Sequence, residues 1–282
     1  MSYTKSVPKI LLVSIILIIK GSLLYSQNIG LQLYSLRNEF KISVPATLVK
    51  IKNWNIHELE GGGTYGLPKD EYINLLKENN LKMVSVGADF QDLATNPRKA
   101  IDEAKSFGSK YIVCFWIPHN GDQFTIEDVK KAIEVFNSAG KIIRESGLSL
   151  CYHPHGYEFL PFENGTMFDY LIKNTDPNYI NFEVDVFWIK QPGQDPVALM
   201  KKYPNRFTML HLKDRRIGTI GNQFGRAEDS SNVVLGQGDV GIAAIMREAK
   251  KIGIKHYFIE DESPSSVSQI PLSLDYLRSL KK

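Results

Sequence analysis

Short runs of apolar, β-branched and aromatic residues alternate along the chain with longer amphipathic stretches. Continuous apolar runs are typical of parallel strands that are covered on both faces, and a repeat of strand and helix is typical of βα units. The apolar runs predict eight strands, over residues 29–35, 56–60, 82–88, 110–118, 148–153, 180–187, 207–212 and 256–260. The amphipathic stretches predict helices over residues 45–54, 69–79, 97–107, 126–146, 167–173, 196–202, 242–251 and 268–280.

Eight strand–helix units predict a single (β/α)8 TIM barrel. Such barrels have about 250 residues, which matches the segment 27–282, and no linker or low-complexity stretch divides that segment. An open doubly wound sheet is the alternative, but no glycine-rich phosphate loop follows the first strand. Two local signals support the longest helix. Thr125–Asp128 has the pattern of a capping box, and Gly147 stands where a left-handed C-terminal cap is favoured.

Residues 1–26 predict a signal peptide rather than part of the fold. Lys5 and Lys9 precede an apolar run over 10–19, which is shorter than the roughly 20 residues that span a bilayer. We expect cleavage near Ser26, a periplasmic or secreted protein, and no stable membrane insertion after cleavage. An uncleaved membrane anchor is the alternative.

Charge and cysteine content narrow the possible partners. The formal net charge is +3, but Lys5, Lys9 and Lys20 all lie in the predicted signal segment, so the remainder is nearly neutral. Nucleic-acid binding requires clustered Lys and Arg, so we expect no nucleic-acid partner. Cys114 and Cys151 lie inside apolar runs, and we expect buried free thiols, although an exported protein could also form a disulfide.

Polar residues stand at the ends of most predicted strands, where the active site of a barrel is built. A single strand-end His or Asp more often bonds a loop or caps a helix. Here four consecutive strands, the fifth to the eighth, end in a possible metal ligand, and burying so many ionisable groups is costly without compensation. The set therefore predicts a divalent-metal site of mixed nitrogen and oxygen ligands. The strand-end candidates are Glu60, Trp116, His153, His155, Glu158, Asp185, His211, Lys213 and Glu260.

The chain resembles the sugar phosphate isomerase/epimerase group of xylose isomerase-like barrels, in the branch that acts on 3-keto-glycosides. The segments that carry the resemblance are 60–66, 152–159, 184–188, 211–214, 236–238 and 258–262. The resemblance implies one divalent ion, Mn or Zn, held by Asp185, His211, Glu260 and a residue from the fifth-strand region. Glu158 is preferred for that place because a third carboxylate better neutralises a hard ion. His153, which stands at the strand end, is the alternative.

The resemblance also implies a reaction and roles for the other candidates. A metal-dependent isomerase, epimerase or lyase would remove a proton next to a carbonyl of a free, oxidised or 3-keto-sugar, through a metal-bound enediolate. His153, His155 and Lys213 are the expected catalytic residues. Glu60, Trp116 and Trp188 are expected to contact the sugar. A metal-assisted glycan hydrolase and a noncatalytic sugar-binding barrel are the alternatives.

Overall fold

A closed barrel of eight parallel strands forms the centre of the molecule in the computed structural model, which describes residues 28–280. Each strand pairs with the next along the chain, and the eighth pairs with the first. The predicted signal peptide lies outside the described residues. Within them, no helix combines the length and the apolar character needed to cross a membrane. The strands are β1 (Asn28–Gln32), β2 (Glu58–Glu60), β3 (Lys82–Gly87), β4 (Tyr111–Cys114), β5 (Ser149–Tyr152), β6 (Ile180–Asp185), β7 (Phe207–Leu212) and β8 (His256–Ile259).

Helices surround the barrel and cover its outer face. The α-helices are Arg37–Ile42, Val44–Asn53, Lys69–Glu78, Phe90–Thr95, Pro97–Phe107, Ile126–Glu145, Met167–Asn174, Val186–Lys190, Pro196–Lys202, Ile242–Ile252 and Ser266–Ser279. Short 3-10 turns lie at Leu33–Leu36, Tyr157–Phe159 and Asp229–Ser231. Two-residue antiparallel pairs join Pro161–Phe162 to Gly165–Thr166, and Asp214–Arg215 to Asn232–Val233.

The predicted TIM barrel is confirmed, and all eight strands lie where the apolar runs placed them. The largest difference is in the fourth run, predicted over 110–118, where the strand ends at Cys114. The backbone N–H of Ile117 donates to the Tyr157 hydroxyl at 3.1 Å instead of to a neighbouring strand. An apolar run can therefore outlast its strand when a side chain from another loop supplies the missing partner.

Three α-helices were not predicted, those over 37–42, 90–95 and 186–190. Each has only five or six residues, which is too short for a helical period to be recognised in the sequence. The helix over 186–190 begins after Asp185, whose carboxylate accepts the N–H groups of Phe187 and Trp188.

The local signals of the longest helix are confirmed. Thr125 and Asp128 form both hydrogen bonds of a capping box. Gly147 follows the helix with φ +80°, in the left-handed region where a Cβ is unfavourable. Cys114 and Cys151 are buried free thiols, as expected.

Alternation along the strands decides which side chains enter the barrel. Val84, Val113, Cys151, Met209 and Phe258 form a small apolar cluster of their own, separate from the larger core under the helices. Successive side chains of a strand point to opposite faces, so residues two positions further along point to the same side. That rule places His153, His211 and Glu260 directly beyond this inner cluster, at the carboxyl end of the barrel.

We predict that Gly30→Ala destabilises the protein through this inner cluster. A Cβ at Gly30 would lie 2.6 Å from the Phe258 ring and 2.7 Å from the carbonyl oxygen of Glu58. Overpacking of this kind costs about 1–3 kcal/mol in the free energy of unfolding, which urea denaturation measures. Gly62→Ala is the matched control, because its nearest neighbour would lie at 3.8 Å. Equal stability of the two variants would contradict the packing described here.

Candidate metal centre and active site

The carboxyl ends of the strands surround a cavity of about 540 Å³. Its walls include residues from all eight βα units, so no single loop builds it. The strand-end residues His153, His211 and Glu260 face it directly. The remaining lining residues are Gln32, Tyr34, Arg37, Gly61, Gly62, Tyr65, Gly87, Phe115, His155, Trp188 and Glu262.

Three of the predicted site residues meet at the bottom of this cavity. The Oδ2 atom of Asp185 lies 3.7 Å from Nε2 of His153 and 3.8 Å from Nδ1 of His211. Each of the three offers a ligand atom within 4.8 Å of the others, and all three side chains are buried. Glu260 adjoins them, with Oε2 3.2 Å from Nδ1 of His211. β6 and β7 bring Asp185 and His211 together because they pair in register, residue to residue.

Asp185 shows why this group fits a cation. Its Oδ1 atom accepts the N–H groups of Phe187 at 2.8 Å and Trp188 at 2.9 Å. Its Oδ2 atom is buried and has no hydrogen-bond partner. An unpaired carboxylate oxygen in a dry interior is costly. A divalent ion between this oxygen and the two imidazoles would satisfy it, and two nitrogens with two carboxylates are a donor set that zinc and manganese accept.

Two further buried carboxylates, Glu183 and Glu60, contact the ring nitrogens of His153 and His211 that do not face Asp185. Glu183 lies with Oε2 3.1 Å from Nδ1 of His153 and 3.2 Å from Nε2 of His211. Glu60 forms a short hydrogen bond to the same Nε2 atom of His211. A carboxylate on one ring nitrogen fixes the ring and directs the other nitrogen towards a metal. His153 Nε2 and His211 Nδ1 are therefore both turned towards Asp185.

Burial and charge act in opposite directions on these groups. Burial by itself lowers the pKa of His211, but the surrounding carboxylates, led by Glu183 and Glu60, hold it well above its usual range. Burial raises the pKa of Glu183 well above normal, and the nearby Glu60 carboxylate raises it further. For His153, burial and the neighbouring His211 lower the pKa well below its usual range. A neutral imidazole is the form that binds a metal ion, and His153 has this form without an ion. His211 would release its proton on binding an ion, whose charge would replace that of the proton among the carboxylates.

Glu158 lies outside this cluster, in contrast to the preference stated from the sequence. Its carboxylate accepts the Tyr152 hydroxyl and the backbone N–H groups of His155 at 3.1 Å and Gly156 at 2.9 Å. It is completely buried, and burial raises its pKa to about 7. The structure therefore gives Glu158 the position of a residue that orders the 153–158 turn. His153, the alternative, is the fifth-strand residue that reaches the cluster.

Lys213 lies beside the cluster as a buried cation. Its ammonium group is 3.3 Å from Glu260 Oε2 and forms a short ion pair with Glu262. It also lies 5.1 Å from the centre of the Trp188 ring, within the range of a cation–π contact. Burial lowers the pKa of Lys213, but the carboxylates of Glu260 and Glu262 outweigh this and raise it, so the group stays charged.

His155 has the freest ring nitrogen among the site histidines. Its Nδ1 atom is buried without a hydrogen-bond partner, and its ring centre lies 4.7 Å from that of His153. Burial lowers the pKa of His155 to about 4, so its imidazole is neutral at neutral pH. The residue also lines the cavity, and a neutral imidazole there is able to accept a proton.

The three predicted sugar contacts have different positions. Trp188 lines the cavity. Trp116 lies outside the lining, half-exposed, with its ring stacked on His119 at 4.7 Å. Glu60 is completely buried beneath His211 and also accepts hydrogen bonds from Ser85 and Gln32, so it supports the histidine instead of facing the cavity.

Glu183 and Glu262 are site residues to which the sequence assigned no role. Glu183 lies in β6, two residues before Asp185, and Glu262 lies three residues after the end of β8. The alternation of the strand could have identified Glu183, because it places Glu183 and Asp185 on the same side. Gln32, Tyr65 and Phe115 gave no such signal, since an amide or a ring at a strand end is equally common in packing.

Comparison with known proteins agrees with this arrangement. Residues 57–280 match the family model described as xylose isomerase-like TIM barrel. The chain belongs to this family.

Three individual relatives share 13–30% of their residues with this chain over the matched part. An inosose dehydratase from Geobacillus kaustophilus is 30% identical over 122 residues, which is 39% of this chain and 39% of that protein. The chain thus matches well under half the length of this curated relative. The crystal structure of a sugar phosphate isomerase/epimerase from Parabacteroides distasonis has a TM-score of 0.74 and 27% identity, covering 90% of this chain and 94% of that one. The structure of the IolI protein with a bound zinc atom has a TM-score of 0.70 and covers 90% of this chain and 97% of its own, but at 13% identity it shows the fold alone.

We predict that Glu158→Gln destabilises the protein. Three donors would lose a charged acceptor in a fully buried place, which costs about 1–3 kcal/mol in the free energy of unfolding. Urea denaturation measures this cost. Glu163→Gln, at an exposed position a few residues further on, is the control and is expected to unfold like the parent. If Glu158→Gln were as stable as the control, the carboxylate would have no role in ordering the turn.

Proposed function

We propose that the protein is a divalent-metal-dependent carbohydrate lyase or isomerase that removes a proton next to a carbonyl group. The observation that carries the proposal is the buried, unpartnered Oδ2 atom of Asp185 between His153 and His211. We assign these three residues and Glu260 as the ligands, with Mn²⁺ or Zn²⁺ as the ion. The zinc atom in the IolI structure supports the choice of metal, and the inosose dehydratase relative supports a carbohydrate that loses water next to a carbonyl.

The ion and Lys213 would both stabilise negative charge on the substrate, at different positions. A divalent ion at this site would supply Lewis-acid stabilisation of negative charge on a substrate oxygen. Lys213 adds a fixed positive charge beside Glu260, in a dry pocket where such a charge acts strongly. It would stabilise the negative charge that develops when the proton leaves.

His155 is the residue that we assign as the base. It lines the cavity, its Nδ1 atom has no other partner, and its pKa of about 4 keeps it neutral and able to accept a proton. His153, the other predicted base, is held by Glu183 on Nδ1 and turned towards Asp185 on Nε2. Its Nε2 atom faces the unpartnered Oδ2 atom of Asp185 at 3.7 Å, so we assign His153 to the ion. The hydroxyl group on the neighbouring carbon would then leave as water with the proton that His155 accepted, which would complete a dehydration.

The predicted signal segment bears on the substrate. If residues 1–26 direct export, as we propose, the protein works in the periplasm or outside the cell. Phosphorylated sugars are mostly cytosolic metabolites, so a free, oxidised or 3-keto-sugar fits this location better.

We predict that His211→Ala and His153→Ala each lose bound metal. Each variant removes one nitrogen donor from the cluster, and second contacts of the ring to Glu183 are lost as well. Elemental analysis of the purified protein is expected to give close to one ion per chain for the parent and well below that for either variant. His57→Ala, which removes an exposed histidine, and Glu158→Gln are both expected to retain the ion. Loss of metal from Glu158→Gln with retention in His153→Ala would reverse the assignment of the fifth-strand ligand.

We predict that His155→Ala keeps the metal and loses turnover. A positioned base contributes about 10²–10⁴-fold, so kcat on a panel of keto-sugars should fall by at least 10²-fold. His119→Ala serves as the matched control, because the His119 ring stacks on Trp116 and lies outside the cavity lining. Chelation should abolish turnover in the parent and the control alike. Binding of keto-sugars without any turnover in the parent would favour a noncatalytic sugar-binding barrel instead.

A further inference from the structure

A cavity of about 660 Å³ lies between the loop after β7 and the turn that follows the helix Val186–Lys190. It shares no lining residue with the cavity at the strand ends, so it is separate from the metal centre. Pockets of about 300–1,000 Å³ hold drug-sized ligands. The cavity therefore has room for a small organic molecule.

The charged side chains in the lining of this cavity are cationic. The lining includes Lys190 and Arg215 and no aspartate or glutamate, whereas the lining of the strand-end cavity includes Glu260 and Glu262. The ammonium group of Lys190 forms no ion pair or hydrogen bond with the residues that the structure describes. A cleft lined by charges of one sign concentrates ligands of the opposite sign. The cavity thus suits a negatively charged ligand.

Arg215 is a fixed donor in the wall of the cavity. Its guanidinium group donates to the two oxygens of Asp239, at 3.0 and 2.7 Å, and its Nη1 atom donates to Oε1 of Gln191 at 3.0 Å. Since Nη1 carries two hydrogens, one N–H remains for a ligand. Arg215 is 7% exposed and already held in place, so binding a ligand would not cost the entropy of ordering its side chain.

The balance of charge favours a single carboxylate as the ligand group. Asp239 compensates Arg215, so Lys190 supplies the uncompensated positive charge of this lining. A carboxylate carries one negative charge at neutral pH, whereas a phosphate monoester carries about 1.5 to 2. The lining also includes Pro192 and Phe224, and Phe224 is 47% exposed. An aromatic group on the ligand would cover this ring.

We propose that this cavity is a binding site for a small aromatic carboxylate. The carboxylate group would accept hydrogen bonds from the Lys190 ammonium group and from the free N–H of Arg215 Nη1, and the aromatic group would lie against Phe224. The inference does not rest on the proposed function, because the two cavities have no lining residue in common.

The position of the site connects it to the loop beside the metal centre. Gln191 and Asn222 line this cavity and also a neighbouring one that shares Trp188 and Glu262 with the strand-end cavity. A bound carboxylate would therefore hold the part of the loop that separates these two neighbouring cavities.

The test compares probes that differ in one group. Cinnamate and cinnamamide have the same ring and nearly the same shape, and acetate has the carboxylate without the ring. Calorimetric titration into the Mn²⁺-loaded protein is expected to give a Kd about tenfold or more lower for cinnamate than for cinnamamide, because only the carboxylate forms an ion pair with Lys190. Acetate and phenyl phosphate are both expected to bind more weakly than cinnamate. No binding of cinnamate, or equal or tighter binding of any of the other three probes, would overturn the proposal.

Variants locate the preference for a carboxylate in this cavity. Lys190→Met removes the charge and keeps an apolar chain, and Gln223→Glu adds a negative charge to the lining with almost no change in size. Each should reduce the ratio of the cinnamamide and cinnamate Kd values to about twofold or less, while the cinnamamide Kd stays within about twofold of the parent. Lys201→Met, at an exposed position outside the lining, is the control and should keep the full ratio. A ratio that stays near tenfold in either Lys190→Met or Gln223→Glu would overturn the proposal, because the carboxylate would then bind elsewhere, for example to the ion.

The two proposals fail in different measurements. Metal content and turnover of keto-sugars test the proposed function. The ratio of the cinnamamide and cinnamate affinities, and its response to the two variants, tests the cationic cavity.

Discussion

Four carboxylates converge in the dry mouth of the barrel, and the surrounding structure is arranged to tolerate them. Glu60, Glu183, Asp185 and Glu260 are all buried around His211. The effective cost of burying an ion is several kcal/mol, so such a group persists only where partners compensate it. The partners here are backbone N–H groups on Asp185, a hydroxyl and an amide on Glu60, an ammonium on Glu260 and an imidazole at the centre. Two of their oxygens are buried without a hydrogen-bond partner, Oε1 of Glu183 and Oδ2 of Asp185. Oδ2 of Asp185 lies between His153 and His211, where a cation fits.

The need to compensate these buried charges explains why the strand ends and the loops contribute different residues to the site. The carboxylates and imidazoles stand on strand ends, where the barrel ladders fix their positions and neighbouring side chains hold their rings. The 153–158 turn is fixed differently, by a carboxylate that accepts its own backbone N–H groups. His155 is thereby held at the cavity wall with one nitrogen free. The chemistry of the site thus depends on rigid elements.

The loops outside the barrel shape the space beside the proposed metal site. The loop after β7 contributes no ligand to the proposed metal site, yet it lines a cavity of about 680 Å³ beside that site. Its two short strands, Asp214–Arg215 and Asn232–Val233, pair with each other, and Gln191 forms hydrogen bonds with the backbone between them. This cavity and the one at the strand ends share Trp188 and Glu262 among their lining residues. The loop can therefore change the space beside the proposed metal site without changing the residues of that site.

The sequence by itself determined the barrel, and it identified three of the four residues that we propose as metal ligands. Eight apolar runs fixed the number and order of the strands, since only strands covered on both faces are apolar throughout. Asp185, His211 and Glu260 could be found because each ends a strand, and strand ends in a barrel meet. Only the tertiary structure brings His153 close to Asp185 and His211 and leaves Glu158 apart from them, because this depends on whether a turn folds the carboxylate back onto its own backbone. It also decided that Glu60 supports His211 instead of facing the cavity, and that two cavities share one wall. Such facts depend on distances between residues far apart in the chain, which the pattern of apolar and polar positions does not contain.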